Sequence, residues 1–288
     1  MITRTAKMLM LLLICCGSAH AQHQPLNIVV SVAPQKYLVK KLTGNLAQVS
    51  VMVEPGQNPA TWEPSARRMV QIANADVLFC IGVPFEKVWL PKLQQSFPGL
   101  TVADPRTQIA MLPITGHTHT TTHQHHEDID PHIWLDPLRD IQMAENMTAT
   151  LCELDPIHRQ SYQQRLEKLR REFTQLHLQI AAMLQPYAGC HFMVFHPSWG
   201  YFARRYQLKQ LAIELSGKEP RGAKLAEITT IARHNNISAI FVQQQFSQKA
   251  ARAIADQISA QIIILDPLAE DLPHTLLTTA QQLQHTLE

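Results

Sequence analysis

The chain has 288 residues, of which 45% are hydrophobic, and its formal net charge is +2 with histidine counted as neutral. Its N-terminal segment holds two of the basic residues, Arg4 and Lys7, so residues 22–288 carry as many basic as acidic side chains. This balance argues against nucleic acid and against an anionic membrane surface as partners. The length suits one large or two modest domains.

The first 21 residues have the pattern of a cleavable secretory signal. The two basic residues precede an apolar run at residues 8–16, and Ala19-His20-Ala21 forms a small-x-small cleavage site. The apolar run is too short to span a bilayer. We therefore predict export to the periplasm, with a mature chain that begins at Gln22.

Three cysteines remain after the predicted cleavage, namely Cys80, Cys152 and Cys190. Because the number is odd, at most one disulfide can form within the chain, and one thiol is left over. No Cys-x-x-Cys pair occurs. The sequence therefore disfavours both a disulfide scaffold and a cysteine-type structural zinc site.

Short β-branched runs alternate with helical segments along the chain. In the first part the pattern predicts strands at 27–32, 47–53, 76–81 and 101–103 and helices at 35–42, 65–74 and 85–93. In the last part it predicts strands at 191–195, 211–213, 239–242 and 261–265 and helices at 198–206, 223–234, 247–258 and 272–287. Such alternation is typical of parallel sheets, so we predict two α/β lobes of similar size.

A long helix is predicted between the two series, after a helix at 138–154. It should begin at Asp155-Pro156, with the aspartate as cap and the proline in the first turn, and continue to about residue 185. One face is apolar at spacings of three and four: Leu166, Leu169, Phe173, Leu176, Ile180 and Met183. At 1.5 Å per residue this helix spans roughly 40 Å. A simple bundle helix fits this pattern, but we favour a rigid strut that joins two lobes.

These elements divide the chain into four predicted parts. Residues 1–21 form the signal, 22–154 the N-terminal α/β lobe, 155–187 the linking helix and 188–288 the C-terminal α/β lobe. The N-terminal lobe includes a histidine-rich loop at 116–128.

The histidine-rich loop has no apolar periodicity, so we expect a mobile surface segment. Neutral imidazole is a common ligand for Zn, Cu and Ni. A flexible cluster should bind such ions weakly and in several arrangements. The candidate auxiliary ligands in the loop are His117, His119, His123, His125 and His126.

Three further polar residues lie near places where α/β proteins bind ligands, just beyond the carboxyl ends of strands. His196 follows the predicted strand at 191–195, and Asp266 follows the one at 261–265. His132 lies ahead of the strut in Asp130-Pro131-His132. Each residue alone is more often a cap or turn residue, but two imidazoles and a carboxylate form a suitable set for Zn or Mn. We expect Zn²⁺, with Mn²⁺ as the less favoured ion.

Several motifs occur in a characteristic order over nearly the whole mature chain. They are Pro55-Gly56-x-x-Pro59, Thr61-Trp62-Glu63-Pro64, the histidine-rich insertion, Asp130-Pro131-His132-Ile133-Trp134-Leu135, Val194-Phe195-His196-Pro197-Ser198-Trp199-Gly200-Tyr201, residues 241–246 and Leu265-Asp266-Pro267-Leu268. In these motifs the chain resembles the zinc/manganese-type solute-binding proteins of bacterial ABC importers, the high-affinity zinc uptake group in particular.

The resemblance implies two lobes around a long helix, with a metal ion in the cleft between them. It matches His132, His196 and Asp266 to the family's ligand positions. It further implies a membrane permease as partner, a monomeric protein and no enzymatic activity.

One departure from the family concerns the first ligand, usually a histidine after Pro-Gly-x-x-Pro, where this sequence has Ala60. Gln243 likewise occupies a position where some relatives carry glutamate. Water, Glu63 or a loop histidine could serve as the fourth ligand, or the affinity could be lower. We expect Glu63 to act mainly in capping the helix that follows Pro64.

Two other functions stay open at this point. Three protein ligands with an open position are the pattern of a zinc hydrolase, but neither His-Glu-x-x-His nor Gly-x-Ser-x-Gly occurs. The second alternative is a metal buffer or adhesin-like surface protein that works without a transporter.

Overall fold

A computed structural model describes residues 24–54, 56–114, 129–214, 218–246 and 248–288. The predicted signal at 1–21 and the loop histidines at 117–126 lie outside these residues. Within them, two parallel sheets are present, each with four strands.

The N-terminal sheet is built from consecutive strand–helix units. Its elements in chain order are β1 (Leu26–Val32), α1 (Ala33–Thr43), β2 (Ala47–Val53), α2 (Ala66–Ala73), β3 (Val77–Phe79), α3 (Pro84–Ser96) and β4 (Thr101–Ala103). The strand order is β2-β1-β3-β4, and all neighbouring strands are parallel. Ser65 caps α2 by accepting a hydrogen bond from the backbone N–H of Arg68 at 3.3 Å.

The two connecting helices are α4 (Pro137–Leu154) and α5 (Arg159–Leu184). The 26 residues of α5 span about 39 Å. Short 3-10 turns, Pro156–His158 and Gln185–Tyr187, flank α5. The predicted long helix is therefore present, with tighter turns at both ends.

Two details refine the helix prediction, and the first, the capping by Asp155, was wrong. Asp155 makes no side-chain capping bond; instead its Oδ2 accepts from the Tyr162 hydroxyl at 2.6 Å and contacts Nδ1 of His158 at 2.7 Å. The second concerns the extent of burial: the predicted apolar face packs against the core, but its two end residues, Leu166 and Met183, are only partly buried. The buried residues of α5 are Tyr162, Leu169, Phe173, Leu176, Ile180 and Leu184.

The C-terminal sheet repeats the architecture of the first. Its elements are β5 (His191–Val194), α6 (Gly200–Arg205), β6 (Lys209–Ala212), α7 (Ala223–His234), β7 (Ala239–Val242), α8 (Lys249–Ile258), β8 (Gln261–Ile264) and α9 (Leu272–Leu287). The parallel strand order is β6-β5-β7-β8. The prediction of two α/β lobes joined by a long helix is confirmed.

Polar contacts join the two lobes across their junction. The indole N–H of Trp134 donates to the carbonyl oxygen of Pro267 at 2.7 Å. Trp134 lies two residues after the predicted ligand His132, and Pro267 directly follows the predicted ligand Asp266. Arg205 at the end of α6 donates through Nε and Nη2 to the Asp136 carboxylate at 2.8 to 3.0 Å. One hydrophobic core cluster also includes side chains from both lobes. The lobes are therefore held against each other by packing as well as by hydrogen bonds.

The described residues include no helix that is both long and apolar enough to cross a membrane. Cys80, Cys152 and Cys190 all carry free thiols. Burial raises the pKa of the Cys80 thiol to about 12, which makes this residue unreactive near neutral pH.

Candidate metal centre

Polar side chains follow the carboxyl ends of three of the four strands in the C-terminal sheet. His196 and Glu214 come two residues after β5 and β6, and Asp266 comes two residues after β8. Because the strands are parallel, these ends lie at one edge of the sheet. The edge is therefore a suitable place for a ligand.

His132 reaches the site from the other side of the junction. It precedes a short 3-10 turn, Ile133–Leu135, whose three residues are buried. The packed turn fixes the backbone of His132, and the indole of Trp134 meets its ring edge-on at a centroid distance of 5.3 Å. The His132 side chain is 13% exposed, so it is held firmly but remains accessible.

Each of the two imidazoles is paired with a buried carboxyl group. Nδ1 of His132 lies 2.6 Å from Oδ1 of Asp130, and Nδ1 of His196 lies 3.0 Å from Oε2 of Glu214. A carboxylate only accepts hydrogen bonds, so this pairing favours the ring tautomer that carries its proton on Nδ1. Nε2 then keeps its lone pair for a ligand. Carboxylate–histidine pairs of this kind orient the rings of metal-binding histidines and raise their basicity.

The two rings are direct neighbours, with centroids 5.3 Å apart and an interplanar angle of 73°. The ring of Phe246 stacks on His196 at 5.0 Å and restricts its rotation. Two pre-oriented imidazoles from different parts of the chain thus share one space. This donor chemistry fits a borderline-soft divalent ion such as Zn²⁺.

Asp266 is anchored by hydrogen bonds from its own turn and from the loop after β7. Its Oδ1 accepts the backbone N–H of Leu268 at 2.9 Å and a longer bond from Nε2 of Gln245 at 3.4 Å. Among the described residues no group of three or more His, Cys, Asp or Glu side chains is arranged to hold a metal ion. The structure therefore brings together two of the three predicted ligands.

The loop that follows β2 contains the other two residues singled out in the sequence. Ala60 is exposed, and its N–H donates to Oδ1 of Asn58 at 2.8 Å in a tight turn. Glu63 is exposed and lines a cavity of about 260 Å³. The expectation that Glu63 caps the next helix was wrong, because Ser65 provides that cap.

The sequence interpretation missed the two supporting carboxyl groups. Asp130 is fully buried and Glu214 is 5% exposed, as expected for side chains that act by holding a neighbour. The role of Asp130 was predictable from the sequence, because an aspartate two residues before a histidine can accept hydrogen bonds from the backbone N–H and the ring of that histidine. The sequence signal for Glu214 was weaker, namely a glutamate directly after the buried Ile213 at the end of a strand.

A buried acid lies on α4, four residues after Asp136, which pairs with Arg205 across the junction. Asp140 is fully buried, and neither of its carboxyl oxygens has a hydrogen-bond partner. Loss of hydration raises the pKa of Asp140 well above its ordinary value, and the nearby Asp136 raises that pKa further. Burial thus favours the uncharged form of Asp140, and this residue is not one of the predicted ligands.

Comparison with known proteins identifies the family of this chain. Residues 28–287 match the family model described as "Zinc-uptake complex component A periplasmic". Among curated proteins, the zinc-binding lipoprotein AdcA of Streptococcus pneumoniae strain R6 is 29% identical over 272 residues, which are 91% of this chain and 54% of AdcA. The high-affinity zinc uptake system protein ZnuA of Bacillus subtilis strain 168 is 26% identical over 260 residues, covering 88% of this chain and 81% of that protein.

The chain thus spans about half the length of AdcA. Among solved structures, a crystal structure of ZnuA aligns with a TM-score of 0.86 and 35% identity, covering 92% of this chain and all of that one. The match includes both sheets and the long helix between them. The chain belongs to the family of the zinc-uptake complex component A periplasmic proteins.

Proposed function

We propose that this protein binds Zn²⁺ outside the cytoplasm and delivers it to the membrane permease of an ABC importer. The observation that carries the proposal is the pair of adjacent imidazoles, each held by its own carboxyl group. The names of the relatives AdcA and ZnuA, which denote zinc binding and zinc uptake, support the choice of ion. In this function the ion is the transported substrate.

The proposed ligands are Nε2 of His132, Nε2 of His196 and the Asp266 carboxylate. Oδ1 of Asp266 is occupied by protein donors, so Oδ2 is the oxygen we assign to the ion. Two nitrogen donors favour Zn²⁺ over Mn²⁺, which prefers oxygen ligands. Since zinc usually takes four ligands, three side chains leave one position for water or a further donor.

Capture and release follow from the placement of these ligands. His132 and His196 are 13% and 25% exposed, so an ion can reach them from the cleft without unfolding of the protein. Their fixed orientation lowers the ordering cost of binding. The position that these three side chains leave needs only a weak donor, which an incoming ligand can replace when the ion passes to the permease.

Other features of the proposal concern the protein as a whole. The signal at residues 1–21 would direct it to the periplasm, where it would act as a monomer. The loop histidines at 117–126 would hold additional ions weakly, with Glu63 as another auxiliary ligand. The four-part division of the chain at residues 21, 154 and 187 belongs to the same proposal.

The proposal can be tested with untagged protein comprising residues 22–288. We expect competition against a chromophoric chelator to reveal one tight zinc site and several weak ones, with Mn²⁺ bound less tightly. Deletion of residues 116–127 should remove the weak sites and keep the tight one. Loss of the tight site in this deletion would instead identify a loop histidine as a ligand.

Transport distinguishes the proposal from its alternatives. Zinc uptake by cells that express the cognate permease and ATPase should require this protein and should fail with His132→Ala. A metal buffer or adhesin would bind zinc without supporting uptake. Zinc-dependent hydrolysis of ester, peptide or phosphate substrates by the purified protein would favour an enzyme instead.

A further inference from the structure

The loop after β7 lies between two of the proposed ligands. In the strand order β6-β5-β7-β8, His196 follows β5 and Asp266 follows β8, so β7 separates them. Neighbouring strands are about 4.8 Å apart, which places the two strand ends roughly 10 Å from each other. Side chains from the intervening loop are therefore the ones best placed to meet an ion held between His196 and Asp266.

Two side chains of this loop contact the two ligands directly. Phe246 stacks on the ring of His196, and the amide of the preceding residue, Gln245, lies 3.4 Å from Oδ1 of Asp266. Gln243 in the same loop is already engaged, because its amide donates to the hydroxyl of Ser198. Gln245 is thus the amide that borders the proposed site.

The amide oxygen of Gln245 is buried and has no hydrogen-bond partner. A buried acceptor of this kind is unfavourable unless a donor or a cation satisfies it. The amide nitrogen bonds to Asp266, and within one amide group the oxygen lies only about 2.2 Å from the nitrogen. The unsatisfied oxygen is consequently within a few ångströms of the Asp266 carboxylate.

We infer that Gln245 supplies its amide oxygen as a fourth ligand to the bound ion, in place of the side chain that is missing at Ala60. This inference rests on the proposed function, since it assigns a donor to the same site. Zinc accepts oxygen ligands, so the set becomes two imidazole nitrogens, one carboxylate oxygen and one amide oxygen. A site with this amide oxygen should discriminate less strongly between Zn²⁺ and Mn²⁺ than a site with a third imidazole, because Mn²⁺ prefers oxygen ligands.

Two substitutions of Gln245 separate a ligand from a positioning residue. Gln245→Met keeps the length of the side chain and removes the oxygen, and we expect it to weaken zinc binding by about tenfold or more. Gln245→Glu keeps an oxygen donor and adds a negative charge, so a ligand role predicts unchanged or tighter binding. If Gln245 only positions Asp266, the glutamate loses the N–H donor and repels the carboxylate, and binding weakens.

The matched control is Gln244→Met, because Gln244 is the exposed neighbour in the same loop. We would measure zinc affinity by chelator competition and record the visible absorption of Co²⁺-loaded protein, which should change in Gln245→Met and not in the control. Weaker binding in Gln245→Glu, or unchanged binding in Gln245→Met, overturns the inference while the wild type still binds zinc tightly. Absence of tight zinc binding in the wild type would instead reject the proposed function together with this inference.

Discussion

The two lobes share one sheet topology, yet their strand ends serve different purposes. In the N-terminal lobe the polar side chains near the strand ends bind their own backbone. Gln35 accepts from the N–H groups of Ser31 and Val32, and Glu86 accepts from those of Ile81 and Gly82. In the C-terminal lobe His196, Glu214 and Asp266 follow strands at an edge that faces the junction.

This contrast shows that sheet topology does not by itself create a binding site, because the residues after the strands decide whether a ligand can bind there. The N-terminal lobe uses its polar groups to stabilise sharp turns, and the loop after β2 carries an exposed alanine, Ala60, where the family usually has a histidine. The main ligand proposed from this lobe is His132, which lies outside the N-terminal sheet. A site between such lobes is asymmetric, with most of its proposed donors on the C-terminal side.

Removal of either imidazole is expected to have the largest effect. His132→Ala and His196→Ala should each weaken zinc binding by more than about 100-fold, since the loss of a ligand exceeds the loss of a supporting residue. His274→Ala, which removes an exposed histidine on α9, is the control for both. Equal losses in chelator competition would show that both lobes are required, whereas an effect of only one variant would restrict the site to one lobe.

Removal of the supporting carboxyl group of either histidine should weaken zinc binding less than removal of the histidine itself. Asp130→Asn and Glu214→Gln take away the acceptors that orient the two rings, and we expect affinity to fall by about 10- to 100-fold. Asp256→Asn, a change at an exposed aspartate, should leave affinity unchanged. If Glu214→Gln binds like the wild type, Phe246 alone is sufficient to hold His196.

The asymmetry itself can be reduced by a substitution in the N-terminal lobe. If the loop after β2 reaches the cleft, Ala60→His would offer a third imidazole in exchange for the weaker amide ligand proposed from Gln245. Zinc binding should then tighten by about tenfold, equivalent to roughly 1.4 kcal/mol. Delivery of zinc to the permease should slow as a result. A titration that gives unchanged or weaker affinity would mean that the turn at Asn58 directs residue 60 away from the ion.

The buried acid on α4 makes stability depend on pH. Burial raises the pKa of Asp140 in the folded state above that in the unfolded chain. Its contribution to the free energy of unfolding is therefore most favourable below the ordinary carboxyl pKa, and it is lost as the pH rises toward the raised pKa. Asparagine cannot ionise. Between about pH 4.5 and about pH 7.5, urea unfolding should therefore show a smaller loss of stability in Asp140→Asn than in the wild type.

The matched control for this experiment is Asp256→Asn, whose carboxyl group is exposed. Its unfolding free energy should follow the pH dependence of the wild type. The same pH dependence in Asp140→Asn would show that Asp140 ionises normally in the folded protein.

The smallest expected effect is the response of overall shape to zinc. The lobes share a hydrophobic core and are joined by the Trp134–Pro267 and Asp136–Arg205 contacts, and α5 contains neither glycine nor proline. Wide closure needs a few residues that absorb backbone rotation, and this junction offers few. Small-angle scattering curves with and without zinc should nearly coincide, and a marked decrease in the radius of gyration on binding would contradict this.

Local physical signals in the sequence determined much of the fold. Runs of β-branched residues predicted β2, β4 and β7 to the residue, and a cap or a following glycine bounded several helices. The uninterrupted apolar spacing predicted α5 and the face by which it packs against the core. These features depend on residues close in sequence, which is why pattern and propensity suffice.

Tertiary structure decided how the C-terminal part of the candidate site is supported. The pairing of His196 with Glu214 joins residues 18 apart, and the contact of Gln245 with Asp266 joins residues 21 apart. Strand order brings these residues together, and no local pattern encodes strand order. The sequence thus determined which side chains are available for metal, while the packing of two sheets decided which of them meet and which are held by a partner.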